Sequence, residues 1–175
     1  MSFFQAKLVT CLLFALPGLF ALALPTPAAK AALVFPRHKG AGRVLSAVAF
    51  IWAACIVYFI PLDFLAKFRL PLVALLAVSI PLSWRWMPDL LAARALGGLW
   101  CLLPAPVLLA SRFAESGGRL VVVSLMYVVA VAGMISAFSP YYLRDVLFFL
   151  AEKPASRMRA AGAALLVFGI AAAFA

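Results

Sequence analysis

The sequence predicts an all-α fold, a polytopic membrane bundle of about six transmembrane helices, on three observations. First, 68% of the 175 residues are hydrophobic and only 11% are charged, whereas a soluble domain is about half apolar and about a quarter charged. A soluble chain of this length has no interior that could hide so much apolar surface, and a bilayer removes the need to hide it. Second, the apolar residues fall into six runs separated by short polar stretches. Third, the 15 Lys and Arg residues lie between those runs or, for Arg94, at the first residue of one.

The first run covers residues 8–24, after Lys7. Ala21-Leu22-Ala23 has the small-x-small look of a signal-peptidase site. However, one Lys precedes the run, and Lys30, Arg37, Lys39 and Arg43 follow it. The positive-inside bias places that following stretch in the cytoplasm, so a retained first helix is expected. Thr26-Pro27 then reads as an N-cap and first turn, with a short interfacial helix over residues 28–35 and Pro36 as its stop.

The second run, residues 44–60, follows Arg37-His38-Lys39-Gly40 and ends at Pro61. The third, residues 70–84, is short for a span of about 20 residues. It gains length if it starts near Phe64 with Lys67 and Arg69 snorkelling, and Trp84 and Trp86 suit an interface. Met87-Pro88-Asp89 reads as a helix start. The fourth run, residues 94–111, contains Pro104 and Pro106, which should kink it. After a turn with Gly117-Gly118 comes the fifth, residues 120–138. Ser139-Pro140 opens a second interfacial segment, Pro154 ends it, and residues 160–175 form an alanine-rich sixth run.

A basic residue followed three positions later by glycine marks the start of a run at Lys39/Gly42, Arg94/Gly97 and Arg159/Gly162. The reading is three hairpins (residues 8–60, 64–111 and 120–175) within one membrane domain, 1–175, with interfacial segments in the cytoplasmic loops. The charge count agrees with this. Ten of the 15 cations (Lys30, Arg37, Lys39, Arg43, Arg85, Arg94, Arg144, Lys153, Arg157 and Arg159) fall in loops one, three and five, and five (Lys7, Lys67, Arg69, Arg112 and Arg119) fall on the other side. That bias makes the first set cytoplasmic and puts both termini outside. The plasma membrane, the bacterial inner membrane, is the expected location. Residues 139–175, with Ser139-Pro140, Arg157, Arg159 and Gly162, resemble small two-span bacterial inner-membrane proteins of unknown function that carry a similar Pro-Arg-Gly pattern. The resemblance covers about a fifth of the chain and implies no activity.

Net charge of +10 normally raises nucleic acid as a partner, but here the cations flank membrane runs, where lipid phosphate is the partner. Arg37, Lys39, Arg94, Arg157 and Arg159 are the expected headgroup ligands. Gly42, Gly97, Gly133, Gly162 and Gly169 are the expected helix-packing positions. No catalytic, cofactor or metal residue is assigned. Cys11, Cys55 and Cys101 lie singly in apolar runs, without metal or redox spacing. The five acids, Asp63, Asp89, Glu115, Asp145 and Glu152, lie at or outside run ends, which disfavours an ion-coupled transporter. The expected function is a non-catalytic membrane subunit or scaffold that packs against a partner membrane protein or a second copy. The alternatives are a lipid-headgroup enzyme with His38 as base and a passive solute pathway at the Pro104–Pro106 kink.

Overall fold

A computed structural model describes residues 3–59, 68–87, 90–112 and 117–174, with only the backbone at 154 and 155. The described residues form nine α-helices and no strand. Pro61, Asp63, Phe64, Lys67, Pro88, Asp89 and Glu115, to which the sequence reading gave roles, lie outside them.

Helix α1 (Phe3–Ala23) runs through Pro17. Pro17 lacks an N–H, a loss that helix packing tolerates in a membrane span. Helix α2 (Pro25–Val34) starts earlier than residue 28 because Pro25, with its fixed φ, occupies the first turn. Thr26 is therefore inside the helix and does not cap it. One 3₁₀ turn, Phe35–Arg37, carries Pro36 and closes the segment. His38 then caps helix α3 (Lys39–Phe59): its Nδ1 accepts the Ala41 N–H at 3.0 Å and its carbonyl accepts the Gly42 N–H at 3.0 Å.

Helix α4 (Arg69–Trp86) buries no residue. Helix α5 (Leu91–Leu102) follows Leu90, held in the left-handed region at φ 56°, a conformation that costs a non-glycine residue about 1–2 kcal/mol. Helix α6 (Pro104–Ser111) continues it after a break at Leu103, where the two prolines interrupt the ladder. Helix α7 (Arg119–Phe138) is followed at Ser139 by α8 (Pro140–Glu152), a π-helical turn at Pro154–Met158, and α9 (Arg159–Phe174).

Five helical stretches are long and apolar enough to cross a membrane: Phe3–Ala23, Lys39–Phe59, Leu91–Ser111, Arg119–Phe138 and Ser156–Phe174. This is the pattern of a multi-pass integral membrane protein. Helix α4, with 18 residues and an arginine near each end, is not among the five.

The extensive pairings are α1 with α9, α5 with α7, α3 with α5, and α3 with α4. Three chain-consecutive hairpins would instead pair α1 with α3 and α7 with α9. Among the described residues α7 and α9 touch only lightly, and α1 packs mainly on α9. The short helices between the spans account for the difference. At 1.5 Å per residue, α2 and α8 insert about 15 and 20 Å of helix before the chain enters its next long helix. The returning span therefore lands on a different neighbour. The core lies where α1, α6 and α7 meet, with Ala6, Val107, Val122, Met126 and Val129 buried together.

Candidate functional site

Close residue pairs fix the helix directions. Gly18 and Ala15 face Gly162 and Gly169, so α1 and α9 are antiparallel, as are α5 and α7, where Gly97 faces Gly133. Gly42 and Ala49 lie beside Ala92 and Gly98, so α3 and α5 are parallel. The Trp84 Nε1–H donates to Ser46 Oγ at 2.9 Å, which sets α4 antiparallel to α3. The starts of α3, α5 and α9 and the ends of α1, α4 and α7 therefore share one end of the bundle, together with α2 and α8.

That end is basic. It collects Lys30, Arg37, Lys39, Arg43, Arg85, Arg94, Arg144, Lys153, Arg157 and Arg159, whereas Lys7, Arg69, Arg112 and Arg119 lie at the other end. Helices α2 and α8 pack on each other there, and both contact the π-helical turn. Ala28, Ala29, Ala21 and Met158 are buried between them, with Leu150 and Ala151 against the cluster. Alanines on α2 allow that close approach. The outer face of α8 presents Tyr141, Tyr142, Phe148 and Phe149; the two tyrosines, apolar with a polar tip, are of the type that prefers a membrane–water boundary.

The five cations assigned to headgroups differ in their surroundings. Arg37, Lys39 and Arg159 are exposed. Arg157 is engaged inside the chain: its Nη1 donates to the Phe149 carbonyl at 2.9 Å and to the Glu152 carboxylate, and its guanidinium lies 3.9 Å from the Phe149 ring centroid. It ties α8 to the turn after it. Arg144 pairs with Asp145 at 2.8 Å and lies 5.3 Å from the Tyr141 ring centroid. Arg94 is half-buried, and its Nε has no hydrogen-bond partner among the described residues.

The five assigned glycines all lie at helix crossings. A Cβ on Gly97 would sit 2.6 Å from the Ala137 nitrogen and 2.8 Å from the Gly133 carbonyl oxygen, and one on Gly133 would sit 2.8 Å from the Gly97 oxygen. A Cβ on Gly42 would sit 2.9 Å from the Ala92 nitrogen, one on Gly162 2.8 Å from the Gly18 oxygen, and one on Gly169 3.0 Å from the Ala15 nitrogen. Backbones this close leave no room for a side chain. In each Lys/Arg-x-x-Gly step the basic residue stands near the helix start, and the glycine one turn later meets another helix. These contacts are all within the chain, so the Gly133 and Gly169 faces are already occupied by α5 and α1.

Gly18 belongs to the same set and was not singled out from sequence. The signal was a small-residue stripe, Cys11, Ala15, Gly18 and Ala21, that a proline beside Gly18 obscures. His38, the candidate base, uses Nδ1 as a helix cap. At the Pro104–Pro106 step, the candidate solute pathway, Val107 is buried in the core with Val122 and Met126. Ser46, Ser111 and Thr10 donate to backbone carbonyls within their own helices. Among the described residues no group of three or more His, Cys, Asp or Glu side chains could hold a metal ion, and the three cysteines are unpaired. Comparison with protein-family models, curated proteins and solved structures finds no match to the chain.

Proposed function

We propose that the chain is a non-catalytic subunit or scaffold of the bacterial inner membrane, crossing it six times, with its basic end on the anionic cytoplasmic leaflet. The gathering of ten cations at the end where α2 and α8 pack together carries this reading. Exposed Arg37, Lys39 and Arg159 each contribute about 1 kcal/mol near an anionic surface, and Tyr141 and Tyr142 of α8 suit headgroup level. The use of His38 as a cap, and of the serine hydroxyls as backbone donors, supports a structural role for the polar groups.

The partner surface is the outer face of α4. This helix packs on α3 and leaves Leu75, Val78 and Leu82 exposed. Placing a photo-crosslinking amino acid at Val78 in native membranes tests the idea. The expected result is one discrete membrane-protein adduct, either a second copy or another chain. Adducts to lipid alone would remove the scaffold reading. For the basic end, changing Arg37, Lys39 and Arg159 together to Gln should lower retention of phosphatidylglycerol on purification, and equal retention would count against it.

A further inference from the structure

A cleft of about 330 Å³ opens between α4 and α5 over the face of α3. Its membrane-depth walls are small or apolar: Ala49 and Ala53 from α3, Leu76 from α4, Gly98 and Leu102 from α5. Its mouth, at the basic end, carries Arg94, Met87 and Ser83. From Arg94 to Leu102 the cleft follows eight residues, about 12 Å of helix at 1.5 Å per residue. One end is therefore cationic, and the rest is greasy.

Arg94 stands out among the cations. Its Nε is buried with no partner among the described residues, and its Nη1 reaches only the weak acceptor Met87 Sδ, at 3.7 Å. Arg144 and Arg157 each pair with a carboxylate. A buried guanidinium nitrogen without an acceptor is costly, and a charged oxygen is its strongest partner. The nearby hydroxyls of Ser83 and Ser46 are bonded to the Ile80 and Arg43 carbonyls and to Trp84, and neither is hydrogen-bonded to the Arg94 Nε. An anionic oxygen would satisfy this guanidinium, and the cleft behind it suits a hydrocarbon chain.

We propose that this cleft is a binding site for one anionic phospholipid, its phosphate on Arg94 and one acyl chain lying along α3 and α5 between α4 and α5. Phospholipid is favoured over a free anion because the charge and the apolar groove are continuous, and because Arg94 stands where a span starts, at phosphate level. The site deepens the anionic-lipid reading above and rests on the basic end facing an anionic leaflet.

Two single variants dissect it. Arg94→Gln removes the charge. Gly98→Leu fills the groove, since a Cβ there meets only the Ala49 Cβ at 4.0 Å, ordinary contact distance. The probe is native mass spectrometry of the full chain, purified through a delipidating wash and then titrated with phosphatidylglycerol, phosphatidylcholine or palmitate. Wild type should keep one phosphatidylglycerol, and each variant should reduce its occupancy about fivefold to tenfold. An Arg37/Lys39/Arg159 triple Gln variant should keep this one lipid while losing looser binding. That outcome separates the site from the general attraction of the basic end. Equal occupancy in Arg94→Gln overturns the site. So does a preference for phosphatidylcholine or for palmitate. Unchanged thermal unfolding of both single variants shows that any loss is not misfolding. If either unfolds early, photo-crosslinking from a phosphatidylglycerol with a diazirine in its acyl chain replaces it. Adducts at Ala49, Ala53 or Leu102 support the site, and their absence there overturns it.

Discussion

Gly97 and Gly98 are neighbours on α5, and the same substitution should act on them in opposite directions. At Gly97 a Cβ would meet the Ala137 backbone nitrogen at 2.6 Å, so α5 and α7 must move apart. Overpacking of this kind costs about 1–3 kcal/mol. At Gly98 only the Ala49 Cβ is near, at 4.0 Å, and alanine there regains up to about 1 kcal/mol of helix propensity. Thermal unfolding in detergent should therefore show a lower Tm for Gly97→Ala and an equal or higher Tm for Gly98→Ala. A second residue-scale case is His38. Loss of its cap in His38→Ala should destabilise the start of α3 by about 0.5–2 kcal/mol, seen as faster amide exchange over residues 39–42. His38→Asn should restore protection. The basic-x-x-glycine spacing could be read from sequence because it combines a boundary charge with a small residue one turn later. The cap was not readable, because a histidine beside Arg37 and Lys39 looks the same whether it caps a helix or faces water.

At the scale of elements, α2 and α8 lie along the bundle end and pack against each other there. The π-helical turn after α8 is secured by Arg157, through the Phe149 carbonyl and the Glu152 carboxylate. Arg157→Gln should release the end of α8. The expected signature is faster amide exchange over residues 149–158, with less effect on anionic-lipid retention than the Arg37/Lys39/Arg159 triple change. Unchanged exchange would mean that the contacts do not hold the turn. The two short helices α2 and α8 could be placed from sequence through Pro36, Pro140 and Pro154, because proline punctuates helices locally. Thr26, a good capping type, points to a cap two residues beyond the actual one, Leu24, because the fixed φ of Pro25 begins the helix. The left-handed Leu90 that starts α5 has no signature in its residue type.

For the whole molecule, the all-α class and membrane character follow from composition and run length, which do not depend on tertiary contacts. Which span packs on which does depend on them. Chain order suggested consecutive hairpins, while the close pairs are set by glycine faces that meet across the sequence, Gly18 with Gly162 and Gly97 with Gly133. A single sequence carries no record of those partners. Helix α4 decides the count of crossings. It runs antiparallel to α3, with Phe68 and Trp86 exposed at its two ends, yet its 18 residues make it the marginal span. The most direct test is to replace Cys11, Cys55 and Cys101, introduce cysteine at Gly40, Phe68 or Trp86, and label intact cells with a membrane-impermeant maleimide. Six crossings with the basic end inside predict labelling at position 68 and protection at 40 and 86 until the cells are opened. Positions 68 and 86 labelling alike, or position 40 labelling in intact cells, would contradict the account.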